Sequence, residues 1–177
     1  MLLYKITSAL LEYPDQDLKS AIPEIAELMQ SDDVISEEER GILHKFMQWL
    51  DTQDVTELQA SYVKTFDMTP EHSLHLTHHL FGDDRGRGPA LIDLSEYYRG
   101  FGLEADAKEL PDYLPLILEF ASTLEEIEAK VFLGQTVKVL TQLAVNLETA
   151  ESPYAPLVRM IEKRGQLVPL TEALISA

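Results

Sequence analysis

The chain has 177 residues, 45% of them hydrophobic, enough for one domain with a sizeable core. A formal net charge of -17 argues against nucleic-acid partners, whose phosphates it repels, and suits solubility or a basic protein partner. The absence of cysteine excludes disulfides, thiolate metal sites, cysteine-held iron–sulfur clusters and cysteine nucleophiles, and no run approaches the ~20 apolar residues that span a bilayer.

Met1-Leu2-Leu3-Tyr4 is too briefly apolar for a signal peptide, so the expected location is the cytoplasm, without direct membrane insertion. Leu2, Leu3, Ile6, Leu10 and Tyr13 recur at helical spacing and predict an opening helix closed by Pro14. A second helix is predicted from Asp17 through Met29, with Pro23 either kinking it or starting its main part. Ser36 and Glu39 form a capping box before the stripe Ile42, Leu43, Phe46, Trp49, Leu50. Asp54 and Glu57 repeat that pattern before Leu58, Tyr62 and Phe66.

The stretch 66–93 concentrates the unusual residues, including four of the five histidines. Thr69-Pro70-Glu71 reads as a helix start, with a helix through Ser73 to about Leu80 and a stop at Gly82. A charged turn from Asp83 to Gly88 follows, then a second helix near Pro89 carrying Leu94, Tyr97, Tyr98 and Phe101. Pro111 to Pro115 reads as a rigid lead-in with Asp112 capping the next helix. Thr123 and Glu126 are read as a capping box opening a long helix through Leu147, and Pro153 and Pro156 precede a last helix ended by Gly165. No stretch alternates with period two, so the fold class is all-α: a single-domain bundle of eight or nine helices over residues 1–165, with a C-terminal tail, 166–177, docked or frayed.

Two motifs resemble the delta subunit family of respiratory nitrate reductase, the molybdenum-cofactor assembly chaperones. One comprises Phe66-Asp67, Ser73-Leu74, His79, Gly82, Asp83, Arg85-Gly86-Arg87-Gly88 and Asp93-Leu94; the other is Glu109-Leu110-Pro111-Asp112-Tyr113-Leu114-Pro115 with Glu119. The Leu-rich opening with Tyr13-Pro14 extends the resemblance over most of the chain, while Met68, Pro70, Phe81 and Tyr113 depart from its usual pattern. The resemblance implies the helical fold of redox-enzyme maturation chaperones and a non-enzymatic role. Such a protein binds the apo catalytic subunit of a molybdenum reductase, including its N-terminal segment, and holds it open for insertion of the molybdopterin guanine dinucleotide cofactor. It implies no catalytic residue and no resident cofactor.

From the residues themselves, Arg85 and Arg87 can lock their loop to an acid elsewhere, Asp93 or Asp112 being the candidates. Contact with a partner or a phosphate are the alternatives. Tyr97, Tyr98, Phe101, Tyr113 and Phe120 are candidates to line a groove for an amphipathic client segment, although aromatics at this spacing are commonly core. Arg87→Ala or Asp112→Ala is then expected to impair client maturation more than global stability. The rival reading from another class is a His-rich metal-binding helical protein or metal-dependent enzyme, its site formed on one helical face by His72, His75 and His79.

Overall fold

The computed structural model describes residues 1–82, 84–103 and 109–166, and the predicted tail after Gln166, like Asp83, lies outside the described residues. Ten α-helices are found among them, above the expected eight or nine: α1 (Leu2–Leu11), α2 (Gln16–Gln30), α3 (Glu37–Thr52), α4 (Val55–Tyr62), α5 (Leu76–Phe81), α6 (Arg87–Gly100), α7 (Leu114–Thr123), α8 (Glu126–Gly134), α9 (Val137–Thr149) and α10 (Ala155–Gly165). A π-helical turn (Val63–Asp67) continues α4, and a 3-10 turn (Pro70–His72) follows it.

α1 lies along α7 and α10 along α9, while α3 packs on α2 and α10. Seven of the ten residues of α1 are buried, among them Leu3, Tyr4, Ile6 and Leu10. The buried Thr7 and Ser8 hydroxyls are satisfied: Thr7 donates to the Leu3 carbonyl at 2.8 Å and Ser8 to the Pro115 carbonyl at 2.7 Å. One contiguous core runs from these residues through Leu43, Phe46, Leu118, Leu143 and Leu157.

The capping signals hold where the acceptor stands directly before the helix. Asp15 accepts from the Leu18 amide at 2.8 Å, so α2 starts slightly before the expected Asp17 and carries Pro23 inside it. The Ser36–Glu39 box opens α3, and Asp54 caps α4 through the Thr56 amide. Glu39 does more than cap. Arg164 of α10 donates to both its oxygens, at 2.6 and 2.7 Å, and joins the first third of the chain to the last.

Several local expectations fail. Thr123 does not cap α8: it is the last residue of α7, its hydroxyl donates to the Phe120 carbonyl, and Glu125 takes the N-cap position. The long helix expected to reach Leu147 breaks at Gln135-Thr136 into α8 and α9. There the end of α10 comes in closely, a β-carbon on Gly165 falling 2.9 Å from Val137 Cγ2 and 3.1 Å from the Leu133 carbonyl oxygen. Another failure, at residues 69–80, shapes the functional site.

Candidate functional site

The helix expected from Ser73 does not form. Pro70 does begin a helical turn, but only over Pro70–His72. Leu74 is buried, and the backbone around it is drawn straight by pairing with the proline-bounded segment: the Leu114 amide donates to the Leu74 carbonyl at 2.8 Å and the Leu76 amide to the Asp112 carbonyl at 3.0 Å. His75 and Tyr113 thus form an isolated antiparallel bridge, and α5 starts only at Leu76. Two pairing bonds that fix both strands outweigh one more turn of isolated helix, whose nucleation is costly.

This overturns the shared histidine face. His72 sits in the 3-10 turn with Nδ1 3.2 Å from the Thr65 carbonyl, His75 is extended with Nδ1 3.3 Å from Asp112 Oδ1, and only His79 is helical. His79 Nε2 lies 2.7 Å from the Ser73 carbonyl, to which its N–H donates, so the ring pins α5 to the turn before it. Burial, outweighing that bond, depresses the His79 pKa and favours the neutral ring. Among the described residues no group of three or more histidines, aspartates or glutamates is placed to hold a metal ion.

Asp112 is the centre of the corner. Its side chain is 1% exposed, and it does not cap its own helix: Tyr113 takes that position without a side-chain bond. Asp112 instead reaches across the bridge to the start of α5, accepting from the Thr77 amide at 3.1 Å and the Thr77 hydroxyl at 2.5 Å. Burial pushes this carboxyl up, but the bonds from His75 and Thr77 outweigh it and hold the pKa below the usual carboxylate range. Arg87, from the first turn of α6, completes the group: Nε donates to Thr77 Oγ1 at 3.0 Å and Nη2 lies 3.5 Å from Asp112 Oδ2. Of the two expected acids, Asp112 is the one that Arg87 meets, with Thr77 as the joint between them. Gly82 takes φ +53 at the end of α5, a backbone state that favours glycine.

The remaining predicted residues divide. Arg85 is exposed, and its neighbour Asp84 accepts the Gly86 amide at 2.7 Å to shape the turn. Tyr98 is buried and donates to the Pro111 carbonyl at 2.8 Å, while the Pro115 carbonyl receives Ser8. Tyr113 faces away from the aromatic group, with its hydroxyl 2.9 Å from that of Tyr62. Glu119 is exposed on α7 and crowds Glu12, whose pKa is raised by burial first and by Glu119 next. Of the five aromatic candidates Tyr97 lines the groove described next, whereas Tyr98, Phe101, Tyr113 and Phe120 do not, nor does Glu119.

An open groove of about 410 Å³ lies between α5, α6, α7 and the α8–α9 corner. Leu76, Leu80, Ala90, Leu94, Tyr97, Ile117 and Phe132 give it apolar walls, and Thr77, Thr136, Asp112 and Asp93 supply hydroxyl and acidic groups. Tyr97 stacks on Phe132 at 5.5 Å with rings 3° from parallel, and Phe101 and Phe120 complete the aromatic cluster. Large apolar side chains of α5 and α6 that line the groove stay in solvent: Leu80 is 59% exposed and Tyr97 41%. Such an apolar rim around a concavity marks an interaction surface. Sequence reading finds Asp112, Arg87, Asp93 and Tyr97 but misses Thr77, Leu80 and Phe132. A lone threonine carries no motif, and period alone cannot say which apolar residues of a short helix stay exposed.

Residues 14–159 match the nitrate reductase delta subunit family. The chain is 37% identical over 158 residues to the nitrate reductase molybdenum cofactor assembly chaperone NarJ of Escherichia coli (strain K12), covering 89% of this chain and 67% of that protein. A Bacillus subtilis (strain 168) chaperone of the same designation is 32% identical over 158 residues, covering 89% of this chain and 85% of its own. The crystal structure of a redox enzyme maturation protein from Archaeoglobus fulgidus superposes with a TM-score of 0.61 at 21% identity, covering 92% of both chains, and shares the all-α fold. The protein described here is a member of the nitrate reductase delta subunit family.

Proposed function

We propose that the chain is an assembly chaperone for a molybdenum reductase of the nitrate reductase type. It binds the apo catalytic subunit in the cytoplasm, takes up that subunit's N-terminal segment, and supports insertion of the molybdenum cofactor, which is cargo of the client and not a resident group of this chain. The Escherichia coli and Bacillus subtilis relatives are named assembly chaperones, and among the described residues no helix is long and apolar enough to cross a membrane.

The observation that carries the reading is the open groove with exposed Leu80 and Tyr97 on its walls. An amphipathic segment laid between α5 and α6 buries its apolar face there. Asp93 and Tyr97, one helical turn apart on α6, both line the groove, so a basic residue of the segment can meet the carboxylate while its neighbours meet the ring. The net charge of -17 raises the rate of encounter with a basic segment.

Calorimetric titration with the N-terminal peptide of the catalytic subunit tests this. Saturable binding at about micromolar Kd is expected, corresponding to ~8 kcal/mol. Ala90→Trp, which fills the groove from a partly exposed position, is expected to weaken it by roughly thirtyfold or more, the loss typical of a central interface position. Unchanged binding by a folded Ala90→Trp protein refutes the groove as the client site.

A further inference from the structure

A second cavity, of about 190 Å³, shares no lining residue with the groove. The bridge divides them. Successive side chains of extended backbone face opposite ways, so Asp112 turns to the groove while Tyr113 lines this cavity, together with Tyr13, Tyr62, His75, Asp67 and Glu109.

The protons on this wall can be assigned. Tyr62 has one, and it goes to the Leu11 carbonyl at 2.9 Å, since a carbonyl only accepts. In the 2.9 Å contact between the two hydroxyls, Tyr113 is therefore the donor and Tyr62 the acceptor. The Tyr113 oxygen keeps only lone pairs to offer a ligand. His75 turns its other ring nitrogen away from the cavity: the Asp112 carboxylate accepts from Nδ1–H at 3.3 Å, which leaves only Nε2 for a ligand. Asp67 and Glu109 are carboxylates, and among the described residues no lysine or arginine lines the cavity. Only the Ser73 and Tyr13 hydroxyls can serve either way. Burial first, then the nearby carboxylates of Glu109, Glu12 and Asp67, push the Tyr113 hydroxyl up to about 12, against the lowering effect of its bond to Tyr62.

Acceptors set among aromatic faces call for a ligand that is cationic, flat and rich in donors. Tyr13 meets Tyr62 edge-on at 5.6 Å and is half exposed at the cavity, so its ring offers surface beside the oxygens. An ammonium satisfies the charge but not the flat surface, whereas a guanidinium presents five N–H donors in one plane and stacks on aromatic rings. We propose that this cavity is a recognition site for a guanidinium group, carried on an arginine of a partner polypeptide. The polypeptide source rests on the chaperone reading; the guanidinium chemistry does not.

The test is an NMR titration of the full chain with the capped tripeptide acetyl-Gly-Arg-Gly-amide, alongside its lysine and citrulline analogues and free arginine. Saturable shifts of the Tyr62, Tyr113 and His75 ring signals are expected with the arginine tripeptide. Binding is expected to fall about tenfold for citrulline, which keeps the shape but loses the charge, and severalfold for lysine. Asp67→Asn, at an exposed position, and Tyr113→Phe are each expected to weaken it by roughly three- to tenfold at an unchanged melting temperature. Equal binding of citrulline or lysine, or shifts confined to other residues, overturns the site. Tighter binding of free arginine than of the tripeptide overturns the polypeptide source. The tripeptide has no apolar face for the groove, so its failure beside successful binding of the client peptide removes this site alone, and Ala90→Trp is expected to leave the tripeptide titration unchanged.

Discussion

Asp112→Ala is expected to act mainly on stability, against the sequence-based expectation that it acts mainly on client maturation. The carboxylate is 1% exposed and receives the Thr77 amide and hydroxyl, the His75 ring and, more distantly, Arg87. Removing it strands the buried Thr77 amide and deprives Arg87 of its counter-charge. Breaking a buried charged network by deleting one partner costs about 3–5 kcal/mol. The Arg87 side chain is 25% exposed and can rehydrate, which places the expectation at the lower end, about 3 kcal/mol. For a domain of this size that is a fall of roughly 6–12 °C in Tm. Urea denaturation of Asp112→Ala, Thr77→Val, Arg87→Ala and the two double variants apportions it. Coupling of Asp112 to Thr77 is expected at about 2 kcal/mol, and to Arg87, at 3.5 Å and partly solvated, at under about 1 kcal/mol. The sign of the pH dependence follows from a folded pKa held below the unfolded value. The contribution of Asp112 is complete above about pH 4, the ordinary aspartate range, and is lost as pH falls through the folded pKa. The gap between wild type and Asp112→Ala should therefore be constant from neutral pH to about 5 and close in acid. A loss under about 1 kcal/mol, a larger coupling to Arg87 than to Thr77, or a gap that widens in acid refutes the assignment of Asp112 as the structural centre of the corner.

Gly165→Ala is expected to cost about 1–3 kcal/mol in chemical denaturation, because the new methyl meets Val137 Cγ2 at 2.9 Å and the Leu133 carbonyl at 3.1 Å. Arg164→Lys is expected to lose about 1 kcal/mol or more of thermal stability, since one ammonium cannot reproduce the two parallel bonds to Glu39. Burial raises the Glu39 carboxyl, yet the bonds from Arg164 and Ser36 outweigh it and hold the pKa low, so this loss too should shrink as pH falls below the ordinary carboxylate range. Tyr4→Phe is expected to be neutral within about 0.5 kcal/mol, as the Tyr4 hydroxyl is buried without a hydrogen-bond partner among the described residues. A cost of more than about 1 kcal/mol in that variant's melt would mean that the hydroxyl is satisfied in solution.

The sequence by itself determined the all-α class and several helix starts, because those signals are local. Ser36 and Glu39 lie three residues apart, and Asp54 stands two before the amide it caps. It also held the residues of the corner, since Arg87, Asp93 and Asp112 fall in two recognisable motifs. What those residues do depended on partners far along the chain. Asp112 looked like the cap of its own helix and proved to hold the start of α5, 35 residues earlier, through Thr77. The same pairing straightened Ser73–His75 and dispersed a histidine face that the local pattern had favoured. Local propensity weighs a turn of helix against solvent. Only the tertiary structure sets it against a second segment, Pro111–Tyr113, that already has φ fixed by proline and backbone groups in need of partners. The groove was decided in the same way: periodicity identified Leu80 and Tyr97 as apolar, and only the packing of α5 against α6 left them beside an open concavity instead of inside the core.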